Sequence, residues 1–238
     1  MKAIIVLGEP GTGKTTALRK LDSQTTMLIT PNDKDLTWPG WRKQGWPQRT
    51  IRLTSAEQIT ELPKRLRQIS EKYPQIKTVI VDDFTHIQTQ KIRSQGFLVD
   101  GKGGNKYARW DQFSVDLHTS VFSLTGELRE DLTVVVINHT ETDANGRGIF
   151  KTFGKAVGNS TMPTSYASVV LHSLVLADKP VDERYVFLTN DDGVHEAKSP
   201  MGMFAELYIP NDLAAVLKRI NEYNQDQAAP VSTTPTKP

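Results

Sequence analysis

The 238-residue chain predicts an α/β protein: a central, mostly parallel sheet with antiparallel strands along one edge and helices on both faces. Three observations carry this. Ala3-Ile4-Ile5-Val6-Leu7 is a short unbroken apolar run, as a strand buried on both faces requires, and a glycine-rich segment and then a helix-like stretch follow it directly. Apolar strands and amphipathic helices alternate from there to about residue 137, the pattern that crossovers between parallel strands demand. Later strand-like segments crowd together with only turn signals between them, which places antiparallel pairing late in the chain.

The elements follow in order. A strand over about 2–7 and a helix over about 14–22 precede a second strand, Thr26–Thr30. Residues 31–48 hold three of the four tryptophans, Trp38, Trp41 and Trp46, whose expected role is packing over the sheet edge. Thr50–Leu53 reads as a further strand. Ser55-Ala56-Glu57-Gln58 resembles a capping box opening a helix with Ile59, Leu62, Leu66 and Ile69 on one face. Lys77–Val81 is a third apolar strand, followed by a short helix over about 85–93. After a polar glycine-rich loop, Ser94–Lys106, a long helix is expected over 107–129, with Trp110, Phe113, Leu117, Val121, Leu124 and Leu128 at helical spacing. Leu132–Ile137 is a fourth strand, ending in Asn138-His139. A second glycine-rich loop spans 140–163. Ala167–Leu176 and Arg184–Thr189 read as late strands. Asn190-Asp191-Asp192-Gly193 reads as a hairpin turn into Val194–Lys198. Asn211 is the expected cap of a last helix carrying Leu213, Val216, Leu217 and Ile220. Residues 1–224 are expected to form one folded domain, and 225–238, rich in Gln, Ala, Pro, Ser and Thr, a disordered tail.

Composition narrows the classes. A net charge of +2 with 24% charged residues announces no global polycation, so any basic site must be local. The absence of cysteine excludes disulfides, thiolate metal centres and cysteine nucleophiles, and suits a reducing compartment. The first strand leaves no room for a signal peptide, and no apolar stretch approaches a membrane span. A cytoplasmic protein is expected.

Gly8-Glu9-Pro10-Gly11-Thr12-Gly13-Lys14-Thr15 fills every position of a phosphate-binding loop, in the strand–loop–helix context the motif needs. Glycines let the backbone close around a phosphate, and successive N–H groups point inward. Lys14 is expected to reach the β- and γ-phosphates, and the Thr15 hydroxyl to hold Mg²⁺, with Thr16 completing the cradle. ATP and Mg²⁺ are therefore the expected ligands. Val79-Ile80-Val81-Asp82 delivers a carboxylate at the C-terminal end of a strand, where ligands of parallel sheets sit, and Asp82 is the expected second magnesium anchor. Asp83 is either a water-orienting base or the N-cap of the next helix. His139 is either a γ-phosphate sensor at the end of an adjacent strand or a hydrogen-bonded strand-end histidine.

Two loops combine cations with glycines, and the second adds aromatics, in the way single-stranded nucleic acid requires. The first carries Arg93, Lys102, Lys106 and Arg109; the second carries Arg147, Phe150, Lys151, Phe153 and Lys155.

Taken together, Gly8–Thr15, Val79–Asp82, the strand ending at His139, Gly154-Lys155 and Ala197-Lys198 resemble the phage-encoded RecA-like ATPases, small recombinases also described as single-strand annealing proteins. The resemblance covers about residues 1–222. It implies a RecA-like P-loop fold and ATP hydrolysis. It also implies single-stranded DNA held by the loops at 94–109 and 140–160, in phage recombination and repair. Self-assembly into a ring or filament with ATP between subunits follows, with Lys198 acting in trans on the neighbour's γ-phosphate. A single-strand binding protein is the partner expected for the tail. The chain departs from that family after its second strand: Thr30-Pro31-Asn32-Asp33-Lys34-Asp35 has no glutamate, so Asp33, Asp35 or Asp83 must activate water. The phosphate loop also looks like that of an AAA+ remodeller or helicase loader, although one helix at 211–224 is too little for a sensor lid. A small-molecule kinase is a further alternative, against which stands the single arginine, Arg147, between Arg129 and Arg184. A non-catalytic nucleotide-switched scaffold is the last.

Overall fold

Successive strand residues fall alternately into two apolar layers, and this parity positions everything that follows. In a computed structural model that describes residues 3–53, 58–93, 106–117, 121–153 and 163–228, eight strands form one sheet. They are β1 (Ala3–Leu7), β2 (Thr26–Thr30), β3 (Thr50–Arg52), β4 (Thr78–Val81), β5 (Thr133–Asn138), β8 (Val169–Val175), β9 (Tyr185–Leu188) and β10 (Tyr208–Pro210). A separate two-stranded ribbon joins β6 (Thr140–Thr142) to β7 (Gly148–Phe150). The order in the sheet is β10-β9-β8-β1-β5-β4-β2-β3. Every pair from β8 through β3 is parallel, and the β8–β9 and β9–β10 pairs are antiparallel. The expected mixed α/β architecture with an antiparallel edge is what the chain builds.

Ala3, Ile5, Leu7, Val79, Val81, Val134, Val136 and Val170 face one layer. There they meet α1 (Gln58–Lys72) through Leu62, Leu66 and Ile69, α2 (Phe84–Arg93) through Phe84 and Ile87, and α3 (Lys106–Leu117) through Phe113. Ile4, Val6, Leu28, Ile80, Val135, Ile137, Val169 and Leu171 face the other. That layer is closed by Leu18, by Trp38 and Trp46, and by Leu213, Val216 and Ile220 of α4 (Leu213–Ala228). Continuing the alternation past each strand end sends Asn138 toward α2, and Asp82 and Ser173 toward the opposite side.

Several elements differ from expectation. The segment after the phosphate loop is a five-residue 3-10 turn, Thr16–Lys20, rather than a helix over 14–22. Of the helix expected over 107–129, Lys106–Leu117 is α-helical; after residues outside the description, Val121 and Phe122 are π-helical and a 3-10 turn follows at Leu124–Gly126, with Val121, Leu124 and Leu128 buried. Residues 194–198 do not pair with β9. Their backbone bridges Gly148 at His195 and Val170 at Lys198, so they clamp the β6–β7 ribbon onto β8, and β9 pairs instead with β10. Asp192 Oδ1 accepts the N–H groups of Val194 and His195, which turns the chain there without a hairpin. Asp212, not Asn211, caps α4, its Oδ1 accepting from Ala214 and Ala215 N–H at 3.1 and 3.2 Å. That helix runs to Ala228, four residues past the expected domain end. The capping box at 55–57 lies outside the described residues. Trp46 is fully buried edge-on to Trp38 at 5.8 Å, so these two tryptophans are core, while Trp41 is partly exposed and lines a cleft at the C-terminal ends of the parallel strands. Among the described residues no helix is long and apolar enough to cross a membrane.

Candidate active site

A cleft of about 1050 Å³ opens at the C-terminal ends of the parallel strands. Pro10, Gly11, Gly13, Lys14, Thr15, Asp82, Asp83 and His139 line its floor. The backbone of the loop explains its glycines. Gly13 sits at φ +91°, and Gly8, at φ +153°, has Thr12 Oγ1 and the Ser173 carbonyl 2.7 and 2.8 Å from where a Cβ would stand. Any side chain at Gly8 would collide with β8.

Among the described residues, the N–H groups of Gly13, Lys14 and Thr15 have no protein acceptor, while the carbonyls of Gly8, Glu9, Thr12, Gly13 and Thr15 are engaged. Three successive unclaimed donors form a concave anion nest. The nest comes from the loop itself, since the 3-10 turn behind it is too short to contribute a substantial helix dipole. Lys14 is 8% exposed and its Nζ donates to the Gly8 and Glu9 carbonyls at 2.7 and 2.8 Å. Burial lowers its pKa, opposed by the nearby carboxylates of Asp82, Asp83 and Glu9.

The Thr15 hydroxyl donates to Asp82 Oδ2 at 2.8 Å, across 67 positions of sequence. These are the two groups expected to hold one magnesium ion, brought into direct contact. Burial, and secondarily the charge of Asp83, raise the Asp82 pKa to about 6. Asp83 meets both of its expected roles in part. Its Oδ1 accepts the His86 N–H at 3.2 Å, capping α2, and its Oδ2 lies 3.0 Å from His139 Nε2. Burial acts to raise its pKa, but the contacts with His139 and the His86 N–H outweigh that and hold it below the usual value.

β5 lies between β1 and β4, so His139 emerges beside Asp82 and Asp83. Its backbone is caged: its N–H donates to Thr85 Oγ1 at 2.8 Å. Thr85 and Gln88 of α2 both donate to Asn138 Oδ1, at 2.8 and 3.2 Å. Asn138 Nδ2 donates to the carbonyls of His139 and Lys151 at 2.8 and 3.1 Å. Thr85 and Gln88 were not singled out in the sequence; a polar pair three apart on a helix signals nothing until its partner strand is known. Thr140 Oγ1 donates to Glu9 Oε1 at 2.5 Å, tying the phosphate loop to the ribbon.

Of the acids after β2, Asp33 pairs with Arg52 at 2.7 Å, and Asp35, which lines the cleft, takes Arg42 through both oxygens at 2.8 and 2.7 Å. Asp83 is the carboxylate that shares the cleft floor with Asp82.

The DNA-loop residues separate. Lys102 and Lys155 lie outside the described residues. Lys106 and Arg109 sit on the first turn of α3, their side chains beyond what is described. Arg147 pairs with Asp191. Lys151 is partly exposed, with its ammonium 5.8 Å from the Phe153 ring. Phe150 corrects an expectation: it is 4% exposed, in the core against Phe84 and Phe122, so it cannot stack a base. Phe153 also packs against that core. Lys198 is exposed at the end of the clamping segment.

The donor set suits a magnesium–triphosphate. Among the described residues no cluster of three His, Cys, Asp or Glu side chains is placed to hold a metal alone. Magnesium bound through one protein carboxylate, a hydroxyl and substrate phosphates needs no such cluster. Compared with known proteins, the chain matches no protein-family model and no curated protein.

Proposed function

We propose that this chain is a magnesium-dependent ATPase of the RecA-like type that binds single-stranded DNA and promotes annealing or recombination. The observation that carries the reading is the Thr15–Asp82 hydrogen bond beside a nest of unclaimed N–H donors. In this reading the nest and Lys14 hold the β- and γ-phosphates, and Thr15 and Asp82 hold magnesium. Asp83, paired with His139, orients the attacking water. Catalysis is then chiefly positioning and charge stabilisation in a partly dry cleft.

DNA enters the reading through β5. The cage around Asn138 and His139 also grips the Lys151 carbonyl, and Lys151 belongs to the second basic segment. A strand end that faces the γ-phosphate and a loop that faces DNA thus share one set of hydrogen bonds. Self-assembly would place Lys198 against a neighbour's cleft.

One observation favours a second reading, phosphoryl transfer to a small acceptor. The cleft continues past the phosphate loop along Leu36, Trp41, Thr50 and Arg52, a flank with room for a second molecule. Hydrolysis measured with and without single-stranded DNA separates the two. Turnover stimulated by DNA supports the ATPase reading; turnover indifferent to DNA but raised by a small acceptor supports the kinase.

A further inference from the structure

The phosphate loop is buttressed by two buried polar residues, Ser173 on β8, the neighbour of β1, and Asn211 just after the edge strand β10. Ser173 is 0% and Asn211 3% exposed. Ser173 Oγ donates to the Thr12 carbonyl at 2.6 Å, and Asn211 Nδ2 donates to Ser173 Oγ at 3.1 Å. A hydroxyl has one proton. Because Asn211 supplies a donor to the Ser173 oxygen, that one proton is committed to the Thr12 carbonyl.

The consequence lies on the other side of one peptide plane. In a trans peptide the C=O and the following N–H point in opposite directions. Drawing the Thr12 carbonyl outward onto β8 therefore turns the Gly13 N–H inward, where it has no protein acceptor and faces the cleft. Gly13, at φ +91°, has no side chain to fix this orientation by its own rotamer. The bond to Ser173 fixes it instead. Asn211 is itself held rigidly: its N–H donates to the Tyr185 carbonyl at 3.1 Å, and its own carbonyl accepts from Arg19 Nη1 at 2.8 Å. Its Oδ1 lies 3.4 Å from where a Gly13 Cβ would stand, so amide and loop are in contact.

We infer that Ser173 and Asn211 are positioning residues that hold the Gly13 N–H toward bound phosphate, so that β8 and the residue after β10 tune nucleotide affinity through the backbone of the loop. The inference rests on the nucleotide reading above. It requires that the effect be specific for a phosphate in the nest and that both residues act through one bond.

The test is a titration of the full chain with Mg·ADP and, separately, with AMP, which lacks the β-phosphate. Ser173→Ala should weaken Mg·ADP by about tenfold, as expected for one misaligned hydrogen bond to a charged group, and leave AMP binding unchanged. Asn211→Asp keeps the shape but supplies an acceptor, which competes for the Ser173 proton. It should weaken Mg·ADP by a similar factor, and it carries the same prediction should Ser173→Ala fail to fold. The double variant should be no weaker than either single one. Unchanged Mg·ADP affinity in both variants, equal losses for AMP and Mg·ADP, or losses that multiply in the double variant would each overturn the inference. Wild-type protein that binds no Mg·ADP would instead overturn the nucleotide reading itself.

Discussion

At the scale of single residues, the site is a set of charges whose states are set by burial opposed by hydrogen bonds and neighbouring charges. Burial holds the Asp82 pKa at about 6, well above the usual carboxylate value of about 3.9, so the folded chain carries an extra proton on it between those values. The sign follows: this carboxylate opposes folding progressively as pH rises from about 4 to 6 and contributes no further change above. Magnesium needs the ionised form, so Mg·ATP affinity should fall about tenfold per pH unit below about 6. Asp82→Asn should bind magnesium-free nucleotide, lose magnesium-dependent turnover and flatten that part of the profile, leaving only the titration of the nucleotide. A second prediction isolates Asp83. Asn can still cap α2, but it lacks the charge facing His139, so Asp83→Asn should retain nucleotide affinity while turnover drops by about 100-fold or more. Turnover close to wild type in steady-state assays would reassign water activation. At this scale the sequence was informative. Gly8–Thr15 and Asp82 each carry a local pattern tied to a backbone requirement, which a reader can see without the fold. Ser173, Thr85 and Gln88 carry none, and Asn211 reads locally as a helix cap, because each matters through a partner far along the chain.

At the scale of elements, the β6–β7 ribbon is the clearest case of local chemistry overruled by tertiary packing. Its glycines and cations read as an open loop, yet three tethers embed it: Thr140 on Glu9, Phe150 N–H on Glu196 at 3.0 Å, and backbone bridges from residues 194–198. Glu196 also accepts from Thr164 Oγ1 at 2.6 Å. Phe150→Ala should therefore destabilise the protein by about 3–5 kcal/mol, as large buried aromatics do, without changing DNA affinity of the folded fraction. Chemical denaturation and DNA titration together check this; reduced DNA affinity at unchanged stability would return Phe150 to the interface. The misread turn at 190–193 has the same origin. Asn-Asp-Asp-Gly favours reversal wherever it stands, but which strand β9 pairs with is settled by β10, too short at Tyr208–Pro210 to announce itself.

At the scale of the whole molecule, sheet order converts scattered motifs into one cleft. Placing β5 between β1 and β4 brings residues near 10, 82 and 139 together, and the alternating layers decide which side each strand-end residue faces. The mixed α/β class was legible, because apolar strands alternating with helices leave few arrangements; the strand order was not, since it is decided by packing between distant segments. What assembles beyond one chain is tested by complementation. Lys198→Ala and Lys14→Ala proteins, each inactive alone, should recover DNA-stimulated turnover when mixed, since some interfaces would join an intact phosphate loop to an intact Lys198. No recovery despite co-assembly, or full activity of Lys198→Ala alone, would remove Lys198 from the chemistry. The central claim is that the cleft hydrolyses Mg·ATP through the nest and Lys14. Steady-state hydrolysis by wild-type and Lys14→Ala protein tests it most directly: magnesium-dependent turnover in the wild type, lower by about 1000-fold in the variant, is predicted for loss of the principal phosphate cation. Equal turnover by the two proteins, or none by the wild type with single-stranded DNA present, would contradict it.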